Sequence, residues 1–284
     1  MSTLFPLKNV PGSVETLLRA SLTGIKKPGK ILPEKGYTLA GLQADKQQLQ
    51  AFCEMFGYGS DTIPSTYWHI RLFSVRALLA AHPDAPFPMP GMVHLSNSIR
   101  QHDTILPSDK LEMTCRFGKL LAHDKGTAFE TLTELRRDNQ LVWEENAVNL
   151  YLGRKNLAQE PVNSPAIDIT APTDEQSWSL PESIGLKYAR VSGDFNPIHL
   201  HGIGAKLFGF PKHLIHGWYG MNRTIAPYQE WLDSPHEIYV SFKKPLFLPG
   251  NVVTRTQSKG STLLFEATNK EEGFPHLKGF IKGL

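Results

Sequence analysis

Cysteine is scarce in this chain. Its 284 residues include two, Cys53 and Cys115. Two thiols cannot build a disulfide framework or a cysteine-based zinc site. Their settings, "AFCEMF" and "EMTCRF", read as packed segments, so both are expected as reduced core residues. Long apolar runs are missing too: no stretch approaches the roughly eighteen residues of a membrane span. The opening "MSTLFPLKNVPGSVETLLRA" lacks a basic segment followed by an apolar one, which reads against a secretory leader. An excess of one charge is also absent. Thirty Lys and Arg stand against 27 Asp and Glu, a formal net charge of +3 with no basic block. That argues against nucleic acid as the main partner. The expectation is a soluble globular protein of a reducing cytoplasm, its charge compatible with an anionic small molecule without demanding one.

What is present is a pattern that occurs twice. "KNLAQEPVNSPAIDITAPTDEQ", residues 155–176, is rich in Pro, Ala and polar residues and lacks an apolar period, so it reads as a linker between 1–154 and 177–284. In each part a short strand leads into a helix: "YTLAGLQADKQQLQAFCEMFG", then "SWSLPESIGLKYARVSGD". Asp45 and Ser183 are placed as N-caps. A second, more apolar helix follows in each, over Thr66–His82 and His213–Tyr228, with Ile70, Phe73, Ala77, Leu78 and Ala81 at helical spacing in the first. The period then changes to that of half-buried antiparallel strands, with "RRDNQ" as a hairpin turn. The reading is an α+β duplication: two antiparallel sheets, each curled around a long helix and able to pair edge to edge, which would protect the edges.

The most specific stretch is "YARVSGDFNPIHLH", Tyr188–His201. It resembles the signature of the (R)-specific enoyl-CoA hydratases, the hydratase 2 group of the MaoC-like dehydratases. In that group an aromatic residue precedes Ser/Thr-Gly-Asp-x-Asn-Pro-Ile/Leu/Val-His. Tyr188, Ser192, Gly193, Asp194, Asn196, Pro197, Ile198 and His199 meet every position. "LFGFPKHLIHGWYGM", Leu207–Met221, resembles the group's second block. The resemblance implies a double (tandem) hotdog in one polypeptide, with a degenerate first half and a catalytic second half. It implies reversible hydration of a trans-2-enoyl thioester, of CoA or acyl-carrier protein, to the (R)-3-hydroxyacyl thioester, a reaction of fatty acid metabolism. Water addition needs a base, an acid and donors for the enolate oxygen. Asp194 and His199 take the proton-transfer roles. Asn196 and Ser192 support them, and the Gly217 N–H serves as the oxyanion donor, its missing side chain letting the thioester carbonyl approach. No cofactor is implied. The alternatives are a hotdog thioester hydrolase and a non-catalytic acyl-thioester-binding protein.

Weaker signals point elsewhere. His199, His201, His213 and His216 invite a zinc reading, but no cysteine or evident carboxylate ligand accompanies them, so no metal is expected. His216 reads as a structural residue at a helix start. "GIGAKLFG" lacks the spacing of a dinucleotide fingerprint. In the first half, "GYGSDTIPSTYWH" aligns either Tyr58 and Ile63 or Asp61 and Thr66 with the catalytic positions, and neither register supplies an Asp/His pair. Asp61 is expected as a turn residue and His69 as core or interface, giving one active site per chain. Lys187, Lys212, Arg223, Lys243, Lys244 and Arg255 are candidates for the anionic end of a thioester, with no basis for choosing among them. A homodimer is compatible with the sequence.

Overall fold

Alternation of buried and open positions dominates the chain. In the computed structural model, which describes residues 3–23, 32–86, 92–152, 160–233 and 235–284, it yields one eleven-stranded sheet. The first half runs β1 (Thr3–Pro6), α1 (Ser13–Thr23), β2 (Lys35–Leu42), α2 (Lys46–Phe56), α3 (Tyr67–Arg71), α4 (Phe73–Ala80), β3 (Met92–Gln101), β4 (Leu111–His123), β5 (Gly126–Arg137) and β6 (Gln140–Leu152). The second runs β7 (Asp174–Leu180), α5 (Ile184–Ser192), α6 (Pro197–Leu200), α7 (Gly202–Leu207), α8 (Gly217–Ile225), a 3-10 segment (Ala226–Leu232), β8 (His236–Phe242), β9 (Gly250–Lys259), β10 (Thr262–Asn269) and β11 (Pro275–Gly283).

The duplication is visible in the strand order. The first half reads β2-β4-β5-β6-β3, and the second continues as β8-β11-β10-β9-β7. The order of the second is that of the first reversed, so β3 and β8 meet at the centre. They pair antiparallel from Ser96 opposite Ser241 to Gln101 opposite His236. β1 adds to β2 in parallel at one end.

Local chemistry explains most boundaries. Asp45 caps α2 by accepting from the Gln48 N–H at 2.9 Å. Ser183 precedes α5 but makes no capping bond. Asp138 and Asn139 both take positive φ, 51° and 64°, which gives the β5–β6 hairpin the tight mirror-image turn that matches strand twist. The long helix expected over Thr66–His82 is broken at Leu72 (φ −101°, ψ 11°). The Arg76 guanidinium donates to the His69 carbonyl just before that break. The helix expected over His213–Tyr228 begins only at Gly217 and tightens to 3-10 at Ala226. Residues 213–215 are committed elsewhere: the Ile215 N–H donates to Leu246 O and the Leu248 N–H to His213 O, each at 2.9 Å. Of the expected linker, residues 155–159 lie outside the described residues, and Asp174–Gln176 already belong to β7.

One apolar core spans both halves. Phe52, Tyr67 and Trp68 share it with Tyr188, Trp218 and Met221. Phe56 touches Tyr188 and Tyr219 across the boundary, ring centroids 6.2 and 5.4 Å apart. Asn222, fully buried in α8, accepts from the Tyr58 hydroxyl (3.1 Å) and the Thr66 hydroxyl (2.7 Å) of the first half. No helix among the described residues is long and apolar enough to cross a membrane.

Candidate active site

The site is built where α5 ends. Gly193 closes the helix at φ 77°, a left-handed conformation that glycine adopts without a Cβ penalty. The next residues fold back on themselves. Ser192 Oγ accepts from the Asp194 N–H at 3.2 Å, and the Asn196 N–H donates to Asp194 Oδ1 at 3.1 Å. Asn196 Oδ1 caps α6 by accepting from the Ile198 N–H at 3.3 Å, with Pro197 at the first helical position, where its missing N–H costs nothing. Asp194 and His199 thus hang from one rigid corner.

Hydrogen bonding sets the state of the imidazoles. His199 Nδ1 lies 2.8 Å from the Leu214 carbonyl. A carbonyl only accepts, so Nδ1 carries the hydrogen and Nε2 carries the lone pair. Burial lowers the His199 pKa, against the pull of Asp194 and of that carbonyl, so the ring is neutral near pH 7. Burial raises the Asp194 pKa, opposed first by His199. The Asp194 side chain nevertheless keeps 24 % of its surface open.

His216 completes the group. Its Nε2 donates to the Asp194 main-chain carbonyl at 2.9 Å and lies 3.8 Å from Asp194 Oδ2. Its ring stacks on His199 with centroids 3.7 Å apart. Burial, then the neighbouring His199, hold its pKa well below the ordinary value. Tyr188 packs edge-on beneath it at 4.9 Å. His216 stands at the start of α8, as expected, and is in contact with the Asp/His pair. The signal was its place directly before Gly217.

The other histidines do not converge. His201 caps α7 by accepting from the Ile203 N–H, and His213 is 3.2 Å from the Glu182 carbonyl. Polar atoms of Asp194, His199 and His216 do lie within 4.8 Å of one another. This corrects the expectation that no carboxylate accompanies these histidines.

Gly217 opens α8 and is exposed. The first-turn N–H groups of Gly217 and Trp218 have no intrahelical acceptor, as at any helix start. A Cβ at Gly217 would stand 2.8 Å from two ring carbons of Phe242. Packing against Phe242 calls for glycine here.

The first half places no such pair. Tyr58 and Ile63 are buried, Thr66 is buried on Asn222, and Asp61 lies in an exposed bend. His69 belongs to a buried ionic cluster that sequence reading missed. Glu145 Oε1 meets His69 Nδ1 at 2.5 Å and accepts from Asn97 at 2.9 Å, while Oε2 accepts from Arg76 at 3.0 Å. The His69 ring stacks on Trp218, centroids 3.8 Å apart. Among the basic candidates, Arg255 is engaged by Glu175 at 2.6 Å and lies 3.7 Å from Glu266. Lys187, Lys212, Arg223, Lys243 and Lys244 are exposed. Two surface clefts, one lined by Phe5, Tyr37 and His82 and the other by Leu39, Asp45 and Arg71, draw on the first half alone.

Residues 155–278 match the family model described as "MaoC like domain". That match covers the second half, which carries a MaoC-like domain. It is 27 % identical over 278 residues to 3-hydroxyacyl-thioester dehydratase X of Mycobacterium tuberculosis, covering 96 % of this chain and 99 % of that protein. The crystal structure of that dehydratase, HtdX, superposes with a TM-score of 0.77 at 25 % identity over 88 % of this chain and all of the other. A MaoC-like dehydratase from Phytophthora capsici superposes with a TM-score of 0.72 at 20 % identity, over 87 % of this chain and 93 % of that one, a likeness of fold. The double-hotdog fold is thus shared with both structures over 87 % or more of this chain.

Proposed function

We propose that this chain is a hydro-lyase that interconverts trans-2-enoyl and (R)-3-hydroxyacyl thioesters at a single site in its second half. The observation that carries the reading is the convergence of a neutral His199, its Nε2 lone pair free, with the Asp194 carboxyl and the open first turn of α8. In the hydration direction one member of the pair takes a proton from water as oxygen attacks Cβ. A proton returned to Cα closes the cycle, so the pair ends with the protons it began with. Charge developing on the thioester oxygen meets the N–H of Gly217, in a partly dry site where such a bond counts for more than in water. His216 steadies both partners, by its bond to the Asp194 main chain and its stack on His199.

The test follows loss of the conjugated enoyl absorbance of crotonyl-CoA. Asp194→Asn and His199→Ala should each lower turnover by roughly 10²–10⁴-fold, the usual worth of a positioned acid or base. The double variant should be little worse than either, since the two act as a unit. Release of free thiol in place of hydration would point to a hydrolase. A single variant retaining more than half of wild-type hydration would sink the assignment.

A further inference from the structure

The first half brings unpartnered polar atoms close to the start of α8. A bulge in β3 between His94 and Ser96 turns His94 onto the inner face that carries Asn97. Asn97 is 2 % exposed. Its Nδ2 donates to Glu145 at 2.9 Å. Flipping the amide would set oxygen against carboxylate, so Oδ1 is the atom left over. Neither Asn97 Oδ1 nor His94 Nε2 has a hydrogen-bond partner among the described residues. Buried polar atoms are costly to leave in that state.

The surroundings say what would fill the place. The His94 ring faces Phe242 at 4.9 Å, His69 at 5.5 Å and Trp218 at 6.2 Å. Phe242 is the ring that packs against Gly217. One aromatic ring, Phe242, therefore stands between His94 and Gly217, the proposed oxyanion donor. Burial, then His69, hold the His94 pKa down at about 3, so that ring is neutral. Arg76, the cation beside it among the described residues, is matched by Glu145. With no net positive charge, the cluster suits a neutral donor and not a second carboxylate.

We propose that His94 and Asn97 form a polar subsite that accepts a neutral hydrogen-bond donor of the bound thioester. The donor is either a hydroxyl on the acyl chain or the amide N–H of the carrier arm nearest the sulfur. The inference rests on the thioester reading above. It makes the silent first half a determinant of specificity.

Equilibrium binding of saturated thioesters, which cannot be hydrated, separates the two readings. Butyryl-CoA and 4-hydroxybutyryl-CoA are titrated calorimetrically into wild type, His94→Phe and His94→Gln, with thermal melts confirming folding. If the donor is an acyl hydroxyl, wild type prefers the hydroxylated probe by about five- to tenfold, and His94→Phe abolishes the preference. If it is the carrier amide, His94→Phe weakens both probes by that same factor. A wild-type comparison needs no variant: S-butyryl-N-acetylcysteamine against S-butyryl-2-mercaptoethyl acetate exchanges the amide N–H for an ester oxygen. Affinities insensitive to the hydroxyl, to the amide and to His94 would overturn the subsite even if crotonyl-CoA is hydrated. Binding that follows the expected pattern without hydration would instead overturn the hydratase reading.

Discussion

Glu145 is the most consequential charge in the first half. Its side chain is fully buried and holds Arg76, His69 and Asn97 at once. Burial alone would push its pKa up, yet Arg76, His69 and the Asn97 bond overcome that and hold it at about 2. Glu145→Gln keeps the shape and removes the charge. It leaves the Arg76 guanidinium, 10 % exposed, without its counter-ion. Breaking one side of a buried pair costs about 3–5 kcal/mol. For 284 residues, unfolding entropy near 2.1 cal/mol/K each amounts to about 0.6 kcal/mol/K. The melting temperature should therefore fall by about 5–8 °C. Adding Arg76→Met removes the stranded cation and should recover at least half of the loss, because the penalty comes from the unpaired charge. Circular dichroism melts of the two singles and the double complete the cycle. A drop under about 1 kcal/mol for Glu145→Gln, or a double variant as unstable as the sum of the singles, would refute this account.

Acid should unfold the protein in a defined window. His69 and His94 are held near 4 and 3, below the ordinary 6.5, and Glu145 near 2, below the ordinary 4.5. In every case the unfolded chain binds the proton first as pH falls, so stability is full above about pH 7 and drains away between about pH 6.5 and 2. A urea midpoint that stays flat from pH 7 to 4 would contradict it. Gly217→Ala drives a methyl into the Phe242 ring and should lower kcat by at least tenfold while the chain still folds. Unchanged turnover in that variant would remove Gly217 from the oxyanion role. Asp61→Asn should leave turnover within about a factor of two, as for other exposed positions, and a folded but inactive Asp61→Asn chain would restore a second site to the first half.

The legible parts of the sequence were those whose chemistry is local. "RRDNQ" announces a tight hairpin because Asp and Asn tolerate positive φ. Asp45 announces a cap because the N–H it accepts from lies three residues away. "SGDFNPIH" folds on itself within eight residues, so the corner could be read before it was seen. The illegible parts depend on distant partners. Residues 213–215 read as helical because nothing nearby reveals that 246–248 claim their backbone. Glu145 and Arg76 are 69 residues apart, and the strand pattern of β6 gives no hint that one of its charges points inward. The contacts of His216 are illegible because Asp194 and His199 reach it only through the fold.

The β3–β8 seam carries one further consequence. Five of its nine buried residues are polar, Ser96, Asn97, Gln101, His236 and Ser241, beside Ile99, Ile238, Tyr239 and Val240, and Ser65 is bonded to His236 at 2.8 Å. Separate subunits meeting along such a line would have to find each other by diffusion, and selection would favour an apolar, self-sufficient contact. Here the partner arrives on the same chain, at an effective concentration of the order of millimolar whatever the abundance of the protein. Tethering relieves the seam of the duty of recruitment. Its positions are then open to substitutions that an obligate dimer would not survive, and the ancestral symmetry is free to erode from the middle of the sheet outward.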